Sequence, residues 1–213
     1  MKYLIITFFV IVFSISSLAN DDIEKYFSTT EKGTITDTYD PGYVKITLSD
    51  GTIVNAKYRD IAFNTLYDWA ESKSKNVLVS YSMQDGCQVK DIKSNKTFSL
   101  YGVGVNVFID RSTDACIQAG NHTTLAMRMC TDYSYYIWDA VLNRTYKALG
   151  GNNNEELKKA QLKWIMYRDQ QQKVILNEYS EKEGTIWPYI LLTQRVKIIK
   201  NQTELLQSIL EDK

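Results

Sequence analysis

The chain holds a single histidine, His122, among 213 residues. A metal centre built from several histidines, or a relay in which histidine has duplicated partners, is therefore not available. A phosphate-cradling loop is missing too, because Gly102-Val103-Gly104 lacks the remaining glycine and the helix start that would follow. Neither sign of charge is in excess. The 25 Lys and Arg residues face 25 Asp and Glu, which leaves no electrostatic footprint for nucleic acid. Beyond the first residues no apolar run is long enough to cross a bilayer. Cysteine is sparse and its count is odd, at 3. Cys116 and Cys130 stand close in sequence and could pair in an oxidising compartment. Cys87 is then left over, either as a buried thiol or as one that seeks a partner on another chain.

What is present begins as an address. Met1-Lys2 give a short positive start, and Tyr3 to Leu18 carry no charge. Ser17 and Ala19 occupy the small-residue positions that a signal peptidase reads, which places the cut between Ala19 and Asn20. A membrane anchor is the rival reading. Against it, no Lys/Arg cluster follows, and the next residues are Asn20-Asp21-Asp22. Residues 1–19 are thus read as a signal peptide. The mature chain is expected in the periplasm or outside the cell, with no stable membrane anchor after cleavage.

Two segments follow with different patterning. In 20–104, Thr34-Ile35-Thr36 and Tyr43 to Leu48 alternate apolar or β-branched residues with polar ones, and Asp50-Gly51 marks a hairpin turn before Thr52 to Tyr58. A helix-like stretch at 61–73 comes next, with Ala62, Leu66 and Trp69 on one face. Further strands are expected at 76–81, around 87–92 and at 97–101. Three strands, a helix and then two strands is the order of an OB-type small barrel, and an SH3-like barrel with an inserted helix fits nearly as well. Residues 105–213 read as helices. Thr124, Leu125, Met127, Cys130, Tyr133, Tyr136, Ile137, Ala140, Val141 and Tyr146 give a broad apolar face, stopped by Gly150-Gly151. Asn153 and Glu156 have the spacing of a cap. A second helix carries Leu157, Ala160, Gln161, Trp164, Tyr167 or Arg168, Gln171, Val174 and Ile175 at three- and four-residue spacing. Pro188 suits the first turn of a third helix running to about Leu210. The expected fold class is α+β, a small barrel followed by an antiparallel three-helix domain.

The helical segment carries a set of motifs. Cys116 and Cys130 are followed by Asp139-x-x-Leu142-Asn143-x-x-Tyr146, then Leu157-x-x-Ala160-Gln161-x-x-Trp164-x-x-x-Arg168-Asp169, then Gly184-Thr185 and Thr193-x-Arg195. In this order and spacing they resemble the LprI-like lysozyme-inhibitor family. The resemblance spans roughly Cys116 to Leu210 and does not touch the barrel segment. It implies a Cys116–Cys130 disulfide, an exported binding protein and a protein partner such as lysozyme. Members often carry a second cysteine pair. The matching neighbourhoods here hold Gln170, Gln171, Gln172 and Tyr189, so that second bridge does not carry over.

The motif residues read first as architecture. Trp164 and Arg168 are four apart and share a helix face. An Arg held near Asp139 or Asp169 would be a buried or half-buried ion pair tying helices together, which Arg195 could complete, since charges on an apolar face need partners. No catalytic set and no cofactor site emerges. His122 precedes the first long helix in the manner of a solvated or cap-associated residue, and a pair of carboxylates alone is no signal for glycosidase chemistry. Tyr133, Tyr135 and Tyr136 cannot all face inward on one helix, so one is expected at the surface. The expectation is a non-enzymatic inhibitor of lysozyme or a related cell-wall hydrolase. Its rival is an envelope adaptor whose barrel recognises a peptide, glycan or protein. A binder of basic lysozymes would gain from acidic character, yet residues 105–213 carry 14 basic against 13 acidic groups and residues 20–104 carry 10 against 12.

Overall fold

A computed structural model describes residues 23–39, 42–59 and 75–213. The expected signal peptide at 1–19 and the expected helix at 61–73 lie outside the described residues.

Six strands form, β1 (Thr29–Tyr39), β2 (Tyr43–Leu48), β3 (Ile53–Arg59), β4 (Lys75–Ser82), β5 (Gly86–Asp91) and β6 (Thr97–Tyr101). Side chains alternate along each, so Val44, Ile46 and Leu48 of β2, Val77 and Val79 of β4, and Val89 of β5 all point into the core. With a period of two, one buried face dictates the register, because a slip by one residue would turn every apolar side chain outward. The ring runs β1-β2-β3-β6-β5-β4 and closes back on β1, with every pair antiparallel. Its closure depends on β1, which is long enough to pair with both β2 and β4 and shifts register between Ile35 and Asp37. The hairpin turn at Asp50-Gly51 forms as read, with Gly51 at φ +88° and the Asp50 carboxylate accepting the Thr52 N–H at 2.9 Å. All six expected strand segments form and close as one small barrel; only the five-strand OB order, which has room for five of them, is corrected. Strand β6 covers the edge that β3 would otherwise leave unpaired.

Four helices follow, one more than expected, α1 (Val107–Ala119), α2 (Thr124–Ala148), α3 (Glu155–Tyr179) and α4 (Trp187–Glu211). The one not foreseen is α1. Its opening Val107-Phe108-Ile109 reads as readily as a strand, and polar Ser112 occupies an inward position between Phe108 and Cys116. Packing on the barrel decides for helix, with the Phe108 ring stacked on Tyr81 of β4 at 5.6 Å between centroids. Helix α2 starts on Thr123, whose hydroxyl accepts the Ala126 N–H at 3.2 Å. The cap of α3 is Asn154 and not Asn153; its side chain accepts the Leu157 N–H at 3.1 Å. The one-residue offset arises because Gly150 and Gly151, both at positive φ, lead into a 3₁₀ turn over Gly151–Asn153.

Helix α4 packs chiefly against α2, and α1 packs against α2 from another side. Trp138, Ile137 and Leu142 of α2 meet the same core as Ile199 and Leu206 of α4. Two expected inward residues of α2, Leu125 and Tyr136, are instead 58% and 56% exposed. With two neighbouring helices to satisfy, the buried arc rotates to take in Thr131, Ser134 and Trp138. Helix α3 departs furthest from expectation, since none of its residues is fully buried and Val174 is 55% exposed. It lies on the outside of α4 and covers its stripe only in part.

Barrel and helices share one continuous hydrophobic core. Around it, Arg111 of α1 holds Glu31 of β1 in a two-pronged pair at 2.9 and 3.1 Å and reaches Asp50 at 2.8 Å. The Cys116–Cys130 disulfide joins α1 to α2, with Cα atoms 5.9 Å apart. Cys87 is free and buried inside the barrel, where desolvation pushes its thiol well above the ordinary range. A thiol so held is inert toward exchange.

Two stability outcomes follow from this packing. Reduction of the Cys116–Cys130 bridge is expected to lower unfolding stability by about 3 kcal/mol, read as a shift in urea midpoint with and without reductant. A Cβ on Gly104 would lie 1.7 Å from the Asn55 carbonyl oxygen, a backbone atom of β3 that cannot swing aside. Gly104→Ala is therefore expected to cost about 3 kcal/mol or more, and an unchanged urea midpoint would contradict the close approach.

Candidate functional site

The motif residues fall on three helices. On α2, Asp139 and Asn143 sit one turn apart, and the Asn143 amide donates to both the Asp139 carbonyl at 2.9 Å and its carboxylate at 3.0 Å. Leu142 between them is in the core. Tyr146 closes the helix, its hydroxyl donating to the Asn152 side chain at 3.0 Å and so tying α2 to the turn that leads into α3. On α3, Gln161 accepts the Gln202 amide of α4 at 3.1 Å. The Arg168 guanidinium lies 5.5 Å from the centre of the Trp164 ring, a cation–π distance.

Arg168 hydrogen-bonds to Asp169 on its own helix, at 2.7 and 2.9 Å. Asp139, across on α2, feels the guanidinium through space. Arg195 of α4 stands apart from this pair. Its guanidinium stacks over Tyr135 at 4.9 Å and faces Asp132 electrostatically. The nine motif residues thus do not form one network. Asp139, Asn143, Trp164, Arg168 and Asp169 make one polar group, and Arg195 belongs to another with Tyr135 and Asp132. Leu142 is in the core, and Tyr146 and Gln161 bond elsewhere. A third pair that the motifs did not include lies beside them, with the Lys200 ammonium 2.7 Å from Asp110 of α1 and 5.2 Å from the Trp138 ring centre. His122 sits in the α1–α2 turn at φ +53°.

Desolvation decides the electrostatics of the clusters. Burial raises the Asp139 pKa, and the field of Arg168 and the Asn143 hydrogen bond offset it only in part. Asp132 is raised for the same reason, against the fields of Arg195 and Arg128. Among the described residues no group of His, Cys, Asp or Glu is placed to hold a metal ion.

The α3–α4 connection is a feature that sequence reading missed. Residues 180–186 are all exposed, yet the turn is braced. Tyr179 and Trp187 stack at 5.7 Å, and Lys182 lies over both rings at 4.7 and 4.8 Å. Glu178 anchors the same ammonium at 3.1 Å, and the Trp187 indole N–H donates to the Glu183 carbonyl at 2.7 Å. The available signal was a pair of aromatics flanking a charged, glycine-containing loop. Gly184, at φ +113°, supplies the left-handed step that brings Trp187 back.

Asp132 and Asp139 each bind their proton more tightly folded than unfolded. Folding stability is therefore expected to fall as pH rises from the ordinary Asp value of about 3.9 through their raised values, the direction linkage requires when the native state holds more protons. Asp139→Asn should flatten that part of a melting-temperature profile. A slope of opposite sign in the native protein, or one unchanged in the variant, would contradict the burial assigned to this carboxylate.

The motif positions correspond to a known family. Residues 116–206 match the lysozyme inhibitor LprI family. The matched stretch takes in the disulfide, all of α2 and α3 and most of α4, and leaves the barrel outside. No curated protein and no solved structure matches the chain.

Proposed function

We propose that the protein is an exported inhibitor of lysozyme or of a related cell-wall hydrolase, acting in the periplasm or outside the cell. The match of residues 116–206 to an inhibitor family carries this reading. Inhibition requires binding without chemistry. It is enough to fill a sugar cleft and offer donors to the two carboxylates that do the hydrolysis.

The α3–α4 tip is the surface best suited to that task. It offers the Ser180 and Thr185 hydroxyls and the Gly184 N–H within an exposed segment, on a base that the Tyr179–Lys182–Trp187 stack holds in shape. Ordering is settled before the partner arrives, which removes part of the entropic cost of association. Charge also favours it. Glu178, Glu181 and Glu183 surround the single Lys182, so the tip is acidic although the helical region as a whole is near balance. An acidic tip speeds and orients the approach to a basic enzyme.

Purified mature protein, titrated into lysozyme acting on a bacterial cell suspension, is expected to abolish lysis stoichiometrically. Raising the salt concentration should weaken the effect, since exposed charges are screened beyond about 10 Å at 0.1 M. Replacing Glu181 and Glu183 together by Lys should slow association and raise the concentration needed. Full lysis at excess protein, across several lysozyme types, would sink the proposal.

A further inference from the structure

We propose that the outer face of α3 is an interface for a second copy of this chain, laid against it in antiparallel register. The inference does not depend on the inhibitor reading, which concerns the tip beyond Ser180.

Helix α3 has two opposite faces. Leu157 and Trp164 pack against the core and Gln161 bonds to α4, so the side that carries them points inward. Leu162, Met166, Asp169, Lys173 and Leu176 follow one another at alternating spacings of four and three residues. At about 100° per residue they fall within an arc of about 80°, on the side turned away from α4. Leu162, Met166 and Leu176 are each more than half exposed. A four-three alternation is the seam of a coiled coil, and a monomer rarely leaves such a stripe to water.

The charges in the middle of the stripe select the occupant. Both Arg168 hydrogen bonds to Asp169 fall on one carboxylate oxygen, Oδ1, which leaves Oδ2 open. Lys173 is exposed and makes no ion pair among the described residues. A second copy laid antiparallel about an axis level with Gln171 sets Asp169 of each chain against Lys173 of the other. The same register brings Met166 against Leu176 twice and ends with Leu162 beside Ser180. Across the axis Gln170 faces Gln172, where no charge is opposed. A parallel pair would align aspartate with aspartate and lysine with lysine, which repels. A membrane suits the face less well, because a helix lying in lipid needs an unbroken apolar side bordered by cations, and Asp169 interrupts this one. The ion pairs fix direction and register. The apolar contacts are few, so the dimer is a weak one.

The test is the solution mass of the full-length mature protein, measured by sedimentation over about a hundredfold range of concentration. The mass is expected to rise from one chain toward two, and Met166→Glu should hold it at one. Asp169→Lys and Lys173→Glu each place like charges across the interface, so each variant alone should be monomeric. Mixed in equal amounts, the two should form a dimer again, because every cross-pair then joins opposite charges. A misfolded variant could not give that restoration, and circular dichroism checks the helix content of each. A single-chain mass of the native protein at every concentration would overturn the proposal. So would a dimer that survives Met166→Glu, or charge variants that stay monomeric when mixed. Binding to phosphatidylglycerol vesicles by a protein that remains monomeric would assign the face to a membrane and equally overturn it.

Discussion

Two buried amides, Asn106 and Gln207, exchange hydrogen bonds of 2.7 and 3.0 Å where the barrel ends and the helices begin. Each would be costly to bury without the other, since an unmet polar group in the interior loses its water and gains nothing. The pair lies 101 positions apart in sequence, so it binds the end of α4 to the exit of β6. Glu211, one turn beyond Gln207, extends the same seam by accepting the Val103 N–H. With α4 anchored in this way its other face receives α2. The disulfide then ties α1 to α2, and α1 in turn lies across the barrel through Phe108 and Arg111. The continuous core depends on this seam being closed.

The arrangement separates rigid from available surface. The interior of α2 and the lower part of α4 are committed to packing, whereas α3 contributes no fully buried residue and carries Leu162, Met166 and Tyr167 at 55%, 73% and 57% exposure. The α3–α4 tip, at the far end of a lightly covered hairpin, is held by its own aromatic pair. Under the proposed inhibitor function, such a tip would enter an enzyme cleft as a pre-shaped element without disturbing the core.

Much of the fold was legible because periodicity reports burial directly. The strand alternation of 43–48 and 76–81 could satisfy only a one-sided sheet, and Asp50-Gly51 could make little else than a turn. The glycines at 150–151 and Pro188 punctuated the helices where the structure breaks and starts them. Helix α1 was less legible because its β-branched and aromatic opening carries both signals at once, and contact with Tyr81 resolves them. The phase of α2 was misjudged at Leu125 and Tyr136. Periodicity identifies an apolar stripe but carries no information on whether one neighbour or two will cover it.

The sequence by itself determined the strand segments, the three long helices, the resemblance of residues 116–206 to the lysozyme inhibitor LprI family and the thin inventory for catalysis. These rest on local spacing and residue chemistry, which a linear chain displays in full. Tertiary structure alone decided which charges meet. Arg168 pairs within its own helix while Arg195 stacks on Tyr135, Lys200 finds Asp110, and Glu211 accepts the N–H of Val103, 108 positions earlier. Such pairings depend on distances between elements, and those are set by how the side chains between them pack.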